Sequence, residues 1–294
     1  MKTFSTLVVD TSYLFYRTFF GLAQVPLESI GQHLLYGFLA GVLKLVKRYN
    51  IKELIITFDK GHKYKTQLYP NYKKKIDIME EAQRAVFVEQ FKYLEQLLAY
   101  LGIKRCFQLG VEADDIIAYI CLKKLLFKED SSSYEVKDPI LVVTGDHDLW
   151  PLLTSSTSLW QFGKKELFTV ADFQKEFAGL SPSIYHEIQA LTGCPGDKVP
   201  GVGGIGNKRA TILMEKYGSL QNIFDSTDND RLVTLVQKNK DLVDLSYKLA
   251  AFEEVSPALY VQTPNFAKAR KLLFSLEADV LIEEWNSIKS LSNF

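Results

Sequence analysis

The chain has 294 residues, 47% of them hydrophobic and 13% aromatic, with 35 basic and 35 acidic side chains and a formal net charge of +0. That length and apolar share support a real core, in one large or two modest domains. The neutral balance argues against a surface coated in positive charge, but it leaves room for a nucleic-acid binder whose acidic site cancels a basic surface.

Thr6 to Val9 predicts a short strand ending at Asp10, followed by a helix that carries Arg17. Ser29 to Tyr49 has helical periodicity, with Leu34, Leu35, Phe38, Leu39, Val42, Leu43 and Val46 on one side. Leu54 to Phe58 predicts a second buried strand, ending at Asp59. Strand, helix, strand implies a parallel sheet with a right-handed crossover. Lys60 to Lys75 is dense in lysine and interleaved with Tyr64, Tyr69 and Tyr72, and Pro70 argues against one helix through it. Helical pattern returns from Ile78 to Leu101. Gly110 to Asp115 then opens a helix expected over Ile116 to Phe127, and Lys128 to Asp138 reads as a polar surface loop.

Ile140 to Val143 is a β-branched apolar run that stops at Gly145 and then presents Asp146 and Asp148. Trp150 to Phe168 reads as a short helix, a strand and a turn. Beyond about Ala171 the pattern is almost wholly helical, with helices expected over Lys208–Tyr217, Leu232–Lys238, Leu242–Glu253, Ala267–Leu276 and Val280–Ile288. The expected fold is α/β. A mostly parallel central sheet flanked by helices occupies residues 1–175, with a basic helical arch at about 60–100. A helical region over 176–294 contains a helix-hairpin-helix at about 190–217.

Cys106, Cys121 and Cys194 have no Cys-x-x-Cys spacing, which excludes a disulfide scaffold and a thiolate zinc site and favours a reducing compartment. The N-terminal apolar run is too short for a signal peptide, and no stretch approaches the ~20 apolar residues of a membrane helix. A soluble, cytoplasmic protein is expected.

Three apolar strands end in acids: Asp10, Asp59, and the Asp146/Asp148 pair. Parallel strands put those ends along one edge, where open α/β sheets carry their chemistry. Glu112, Asp114 and Asp115 start a helix, and Glu112 and Asp115, three apart, share a face. Each acid alone reads equally well as a cap or a solvated strand end. Several on one rim repel one another unless cations neutralise them. All the candidate ligands are oxygens, which suits Mg2+ or Mn2+, and two such ions ~4 Å apart can stabilise both oxygens of a phosphodiester displacement.

The basic stretch reads either as a solvated loop or as a nucleic-acid contact. Its tyrosines would stack on bases and its lysines meet phosphates or the developing charge of a scissile phosphate. Arg17 is a second such candidate, or a surface arginine. Gly204 to Ala210 fits a helix-hairpin-helix, whose glycines bring backbone N–H groups up to a phosphate while Lys208 and Arg209 add charge. Such contacts are blind to sequence.

Together these residues resemble the 5′-nuclease superfamily: flap endonucleases, phage 5′–3′ exonucleases and the 5′-nuclease domain of bacterial DNA polymerase I. The matching stretches run in order from Val-Val-Asp10 through Phe-Asp59-Lys and Tyr72-Lys73 to Gly-Val-Glu112-Ala-Asp114-Asp115. They continue with Thr-Gly-Asp146-His-Asp148 and Gly-Asp197-Lys-Val-Pro-Gly-Val-Gly-Gly-Ile-Gly206. The resemblance implies a structure-specific nuclease that cuts DNA at 5′ flaps, 5′ ends or single-strand/double-strand junctions with two divalent ions. It implies Asp10, Asp59, Glu112, Asp114, Asp115, Asp146, Asp148 and Asp197 as metal ligands, directly or through water. Lys73, Tyr72 and Arg17 are implied beside the scissile phosphate, with Lys74 and Lys75 near them. The hairpin, with Gly204, Gly206, Lys208 and Arg209, is implied on the downstream duplex, often with a K+ ion. A stand-alone monomeric nuclease of a bacterial or phage-infected cell is the expected form.

Cys194 and Lys198 depart from the family's usual Gly-Asp-x-x-Asp-Asn, where they replace the first acid and the asparagine. Ile76 stands where some relatives have arginine. A DNA-junction-binding protein with weak or lost catalysis is therefore an alternative, as is an RNA-cutting nuclease with the same acidic sheet. The Asp10-Thr11-Ser12 run also fits a phosphatase nucleophile, a scheme with no role for the other strand-end acids.

Overall fold

The computed structural model describes residues 2–27, 29–74 and 79–294. Its N-terminal part comprises β1 (Thr6–Asp10), α1 (Thr11–Gly21), α2 (Ile30–Tyr49), β2 (Glu53–Thr57), α3 (Lys63–Leu68), α4 (Glu81–Tyr100), β3 (Lys104–Phe107) and α5 (Ala113–Lys123). There follow β4 (Leu125–Lys128), β5 (Ser133–Glu135), β6 (Ile140–Val143), β7 (Thr157–Gln161), β8 (Glu166–Phe168), α6 (Val170–Glu176) and α7 (Tyr185–Thr192). The remainder is α8 (Asn207–Tyr217), α9 (Leu220–Asp225), α10 (Arg231–Lys238), α11 (Lys240–Ala250), β9 (Ala258–Tyr260), α12 (Phe266–Ser275), α13 (Asp279–Glu283) and α14 (Trp285–Lys289).

The described strands form one sheet in the order β5-β4-β9-β3-β2-β1-β6-β7-β8. Its middle, β3-β2-β1-β6-β7, is parallel, and antiparallel pairs flank it. The central strands are apolar on both faces because helices cover both. Val8, Ile55 and Val142 point into one core with α5 and α7 to α11. Leu7, Val9, Leu54, Ile56, Leu141 and Val143 point into the other with α1, α2, α4 and α12 to α14. The chain moves one way from β1 to β2 and β3, then crosses back to lay β6 and β7 on the other side of β1. That reversal opens a crevice beyond the C-terminal ends of β1 and β6, where Asp10 and Asp146 lie.

Three expectations are corrected. The helix after Gly110 stops at Lys123, because Lys124 takes a left-handed φ of 55° and caps it. Leu125 to Lys128 then alternates exposed and buried as β4 and pairs antiparallel with β5, inside the segment expected to be a loop. The region 176–294 is almost wholly helical, as expected, but it contains one strand that the sequence did not announce. β9 runs antiparallel to β3 and parallel to β4, with Leu259 fully buried. Ala269, Leu273, Leu281, Ile288 and Leu291 follow it into the α2/α4 core, so residues 258–294 complete the sheet domain. The last expected helix is broken into α13 and α14. Pro70 does end helical structure, with α3 stopping at Leu68. Lys75, Ile76 and the expected helix start at Ile78 lie outside the described residues. Among the described residues no helix is long and apolar enough to cross a membrane.

If β9 joins β3 to β4, Leu259→Ala should cost about 2–5 kcal/mol, as for a fully buried leucine. Urea unfolding checks this, and a cost under about 1 kcal/mol would contradict the insertion.

Candidate active site

Asp10 is the last residue of β1 and the N-cap of α1, its Oδ1 accepting from the Tyr13 N–H at 3.0 Å. The Thr144 hydroxyl, just past β6, donates to Asp10 Oδ2 at 3.3 Å and accepts from the Asp146 N–H at 3.0 Å. Asp146 in turn accepts from the Asp148 N–H at 3.0 Å. One threonine thus ties together the acids at the ends of two neighbouring strands. Asp59 lies past β2 and accepts from the Gly61 N–H at 2.9 Å. Asp10, Asp59, Asp114 and Asp146 line one cleft of about 630 Å3 with Lys73, His62, Tyr13, Tyr16, Phe87 and Phe91.

Asp146 also borders a second cavity, which contains Asp148, Gln189 and Cys194 and reaches Gly206 and Asn207 at the start of α8. Donor atoms of Asp148, Cys194 and Asp197 lie within 4.8 Å of one another. Asp197 also faces Lys73, with Oδ2 at 3.5 Å from Nζ.

Glu112 and Asp115 share a face as expected, but they turn it toward lysines and do not line the cleft. Lys65 Nζ is 3.0 Å from Glu112 Oε2 and 3.3 Å from Asp115 Oδ2. Lys73 Nζ is 2.5 Å from Glu112 Oε1, and the Tyr72 hydroxyl donates to Oε2 at 2.9 Å. Asp115 also accepts from the Glu253 N–H at 2.8 Å. The basic stretch is therefore split. Lys65 and Tyr72 are buried, so neither meets a phosphate or a base, while Tyr64 is exposed. The sequence reading missed the roles of Lys65 and Glu253, because nothing marks one lysine of a run as the one that folds inward.

Lys73 has φ 47°, and its N–H donates to Asp197 O at 2.8 Å. Lys74 is exposed and lines a shallow pocket with Tyr69, Asn71 and Lys198, and Lys75 falls outside the described residues. Arg17 is exposed and sits against Gly163 between β7 and β8, not in the cleft. In the hairpin Gly204 has φ 88°, and Gly206 is the N-cap of α8. Lys208 and Arg209 are exposed, and Arg209 donates to Gly204 O. Ile205 and Ala210 are buried and anchor the turn.

The electrostatics follow the geometry. Burial pushes Asp10 up to about 7, with Asp146 and Asp59 adding to the rise and the Tyr13 N–H opposing it. Burial likewise raises Asp148 to about 7, with help from Asp146 and Asp197. Asp114 is raised well above the usual carboxylate range by burial and Asp146, and Asp59 is raised by burial and Glu112. For Glu112 burial acts upward, but the ammonium groups of Lys65 and Lys73 outweigh it and hold the carboxyl at about 2. Crowded acids that resist ionisation, all offering oxygen, fit a divalent cation.

A family model for the N-terminal resolvase-like domain of 5′-3′ exonucleases matches residues 5–178, and one for their C-terminal SAM fold matches residues 180–268. The chain belongs to the 5′–3′ exonuclease family. It is 29% identical over 289 residues to a 5′-3′ exonuclease of Aquifex aeolicus, covering 96% of this chain and 95% of that one. It is 31% identical over 301 residues to thermostable DNA polymerase I of Thermus thermophilus, covering 96% of this chain but 33% of the polymerase. The chain thus spans about a third of that longer relative. Among solved structures, a bacteriophage T5 protein co-crystallised with metal ions has a TM-score of 0.68 at 20% identity, covering 98% of this chain and 99% of that one. The phage T5 flap endonuclease in a complex with DNA and metal ions has a TM-score of 0.66 at 20% identity, covering 99% of this chain and 100% of that one.

The raised carboxyls set a pH dependence. Asp10 keeps its proton up to about 7 in the metal-free fold and loses it near 3.8 when unfolded. Over that window the native state binds more protons, so stability falls as pH rises. Glu112 acts in the opposite sense, losing its contribution only as pH falls toward about 2. Metal-free protein should melt at a lower temperature at about pH 8 than at about pH 5, Asp10→Asn should flatten the slope, and Mg2+ should restore the loss. A melting temperature that is constant or rises over this range would contradict the geometry.

Proposed function

We propose that the chain is a structure-specific 5′ nuclease, combining 5′–3′ exonuclease and flap endonuclease action on DNA in the cytoplasm. The observation that supports this most is the convergence of Asp10, Asp59, Asp114 and Asp146 in one cleft with Lys73. Those four acids would hold one divalent ion, Mg2+ or Mn2+, and Asp148 and Asp197 with Cys194 the other. When bound, the ions supply the charge that stabilises the attacking and leaving oxygens of an in-line hydrolysis.

The protein's own part is positioning. The Lys73 ammonium is fixed by Glu112 and Asp197 at the cleft wall, where it would contact the scissile phosphate. Glu112 supports it from behind and, with Asp115, holds Lys65, both as partners of the lysines and not as direct ligands. Tyr16, 44% exposed and packed on Phe87 at 4.4 Å, offers a ring face to an unpaired base. The α8 turn, with Gly204, Gly206, Lys208 and Arg209, would hold the downstream duplex by its backbone, with a K+ ion as an option there. Lys74 and Arg17 would add phosphate contacts outside the cleft, with Lys75 a further DNA contact, and the working unit would be a monomer.

Release of a 5′-fluorescent flap with and without Mg2+ tests this reading. Lys73→Ala should lower kcat by roughly 10²–10³-fold, the size expected for removing one donor to a developing charge. Near-normal kcat would remove Lys73 from the site.

Cys194 supports a second reading, a junction-binding protein of the same fold with weak or lost catalysis. Cys194→Asp should shift the Mg2+ titration of cleavage to lower concentration, since a thiol is a poor Mg2+ ligand. An unchanged curve would count against any handicap at that site.

A further inference from the structure

Away from the acidic cleft, a cavity of about 650 Å3 lies between the hairpin turn and α10. Gly203, Gly204 and Arg209 line it from the hairpin, and Arg231, Thr234 and Lys238 from the helix. Arg209, Arg231 and Lys238 bring positive charge, and no lining side chain is acidic or aromatic. In a chain of zero net charge this is a local excess. The acids just before α10 are engaged elsewhere. Asp230 caps the helix by accepting from the Leu232 N–H at 2.7 Å, and Asp228 pairs with Lys216 at 2.9 Å.

The α10 contribution is one face of the helix, since Arg231, Thr234, Leu235 and Lys238 follow the i, i+3, i+4, i+7 spacing. The opposite face packs Val233 and Val236 into the core. The Gln237 amide donates to Ser226 O at 2.7 Å and to Ile223 O at 3.1 Å, which ties the helix to the end of α9. The helix is thus held in place while Arg231 and Lys238 stay exposed. Gly204 and Arg209 also line the hairpin's own cavity, of about 560 Å3, together with Gly206 and Lys208. The two basic hollows therefore share a wall, and Arg209 is fixed in it by donating to Gly204 O.

Cations around a hollow with no counter-charge in its lining favour an anion. A groove for unpaired bases carries aromatic rings beside its cations, whereas the outside of a duplex offers phosphates and sugars. Arg231 and Lys238 stand about 10 Å apart along the helix. One strand of a duplex rises about 3.4 Å per phosphate, so the two side chains would meet different phosphates. We propose that Arg231 and Lys238 make α10 a second clamp on the sugar-phosphate backbone of duplex DNA, beside the hairpin. The inference rests on the DNA reading of the hairpin and extends its footprint to a helix with no glycine turn. Its contacts are blind to sequence.

Equilibrium binding of the full chain to a blunt duplex, and to a single strand of the same length, tests this across a salt series. No metal is added, so no strand is cut. For the duplex, the slope of log affinity against log salt should become shallower by about 0.9 in Arg231→Gln or Lys238→Gln, and by about 1.8 in the double variant. The single-strand slope should not change. The charge-keeping pair Arg231→Lys with Lys238→Arg should hold the original duplex slope. An unchanged duplex slope in the double glutamine variant overturns the inference. So does an equal loss on both DNAs, which would make the face a general basic patch, or an equal loss in the charge-keeping pair, which would make it structural. Flap cleavage is read separately. A shifted slope without cleavage in any metal sinks the nuclease reading and leaves the clamp standing, whereas Mg2+-driven cleavage with an unchanged slope does the reverse.

Discussion

Like charge crowded at one edge of a parallel sheet is the constraint that organises this protein. Two carboxylates 4 Å apart repel by about 4 kcal/mol at an effective dielectric of 20, and burial adds to that cost. Asp146 raises Asp10, Asp114 and Asp148 alike, and Asp10 raises Asp114 further. The fold tolerates this because the strands beneath are apolar on both faces, and their burial offsets the repulsion. Backbone N–H groups of Tyr13, Gly61 and Asp148 and the Thr144 hydroxyl take up part of the charge. What remains is a demand for cations, met partly by lysines and left otherwise for metal.

Lys73 is where that demand becomes architecture. Its side chain bridges Glu112 at the start of α5 and Asp197 in the loop before α8, and its backbone N–H binds the same loop. Tyr72 beside it packs with Val199 and Leu249. Three segments far apart in sequence are thus locked by one residue, and the base of the basic stretch is fixed by the ion pairs that neutralise the acids. Lys65 repeats the arrangement one layer deeper, between Glu112 and Asp115. Position and charge balance are the same interaction here. Any cation lost from this network leaves an acid buried and uncompensated, the costly way to break an ion pair.

The sheet edge and its acids were legible because each signal was local. An apolar run that stops at an aspartate carries its own strand, its end and its ligand, as Val9–Asp10 and Val143–Asp146 do. The hairpin was legible for the same reason: Gly204, at φ 88°, sits where the backbone needs a glycine. What stayed hidden was set by distant partners. β9 is three residues long, and only the gap between β3 and β4 makes it a strand. Leu125 to Phe127 continued the apolar run of α5, and the left-handed turn at Lys124 that ends the helix has no glycine to announce it. Lys65 and Tyr72 looked like nucleic-acid contacts because burial is a property of the fold, not of the run they sit in. Glu112 and Asp115 could not be separated from Asp114 by spacing, since the partner lysines decide which way each turns.

Cys194 and Lys198 stand where the sequence resemblance implies an acid and an asparagine. Lys198 has φ 62°, a conformation asparagine adopts more readily than lysine, so the loop keeps its shape at some cost. Cys194 would offer sulfur where that resemblance implies a carboxylate oxygen. The central claim is that crowded acids are held protonated until a cation replaces the proton. Isothermal titration of Mg2+ into the metal-free protein near neutral pH, repeated in buffers of different ionisation enthalpy, measures this directly. The account predicts a binding heat that varies with the buffer, because Asp10 and its neighbours release protons as the ion enters. Binding with a heat independent of the buffer, or no binding at all, would contradict it.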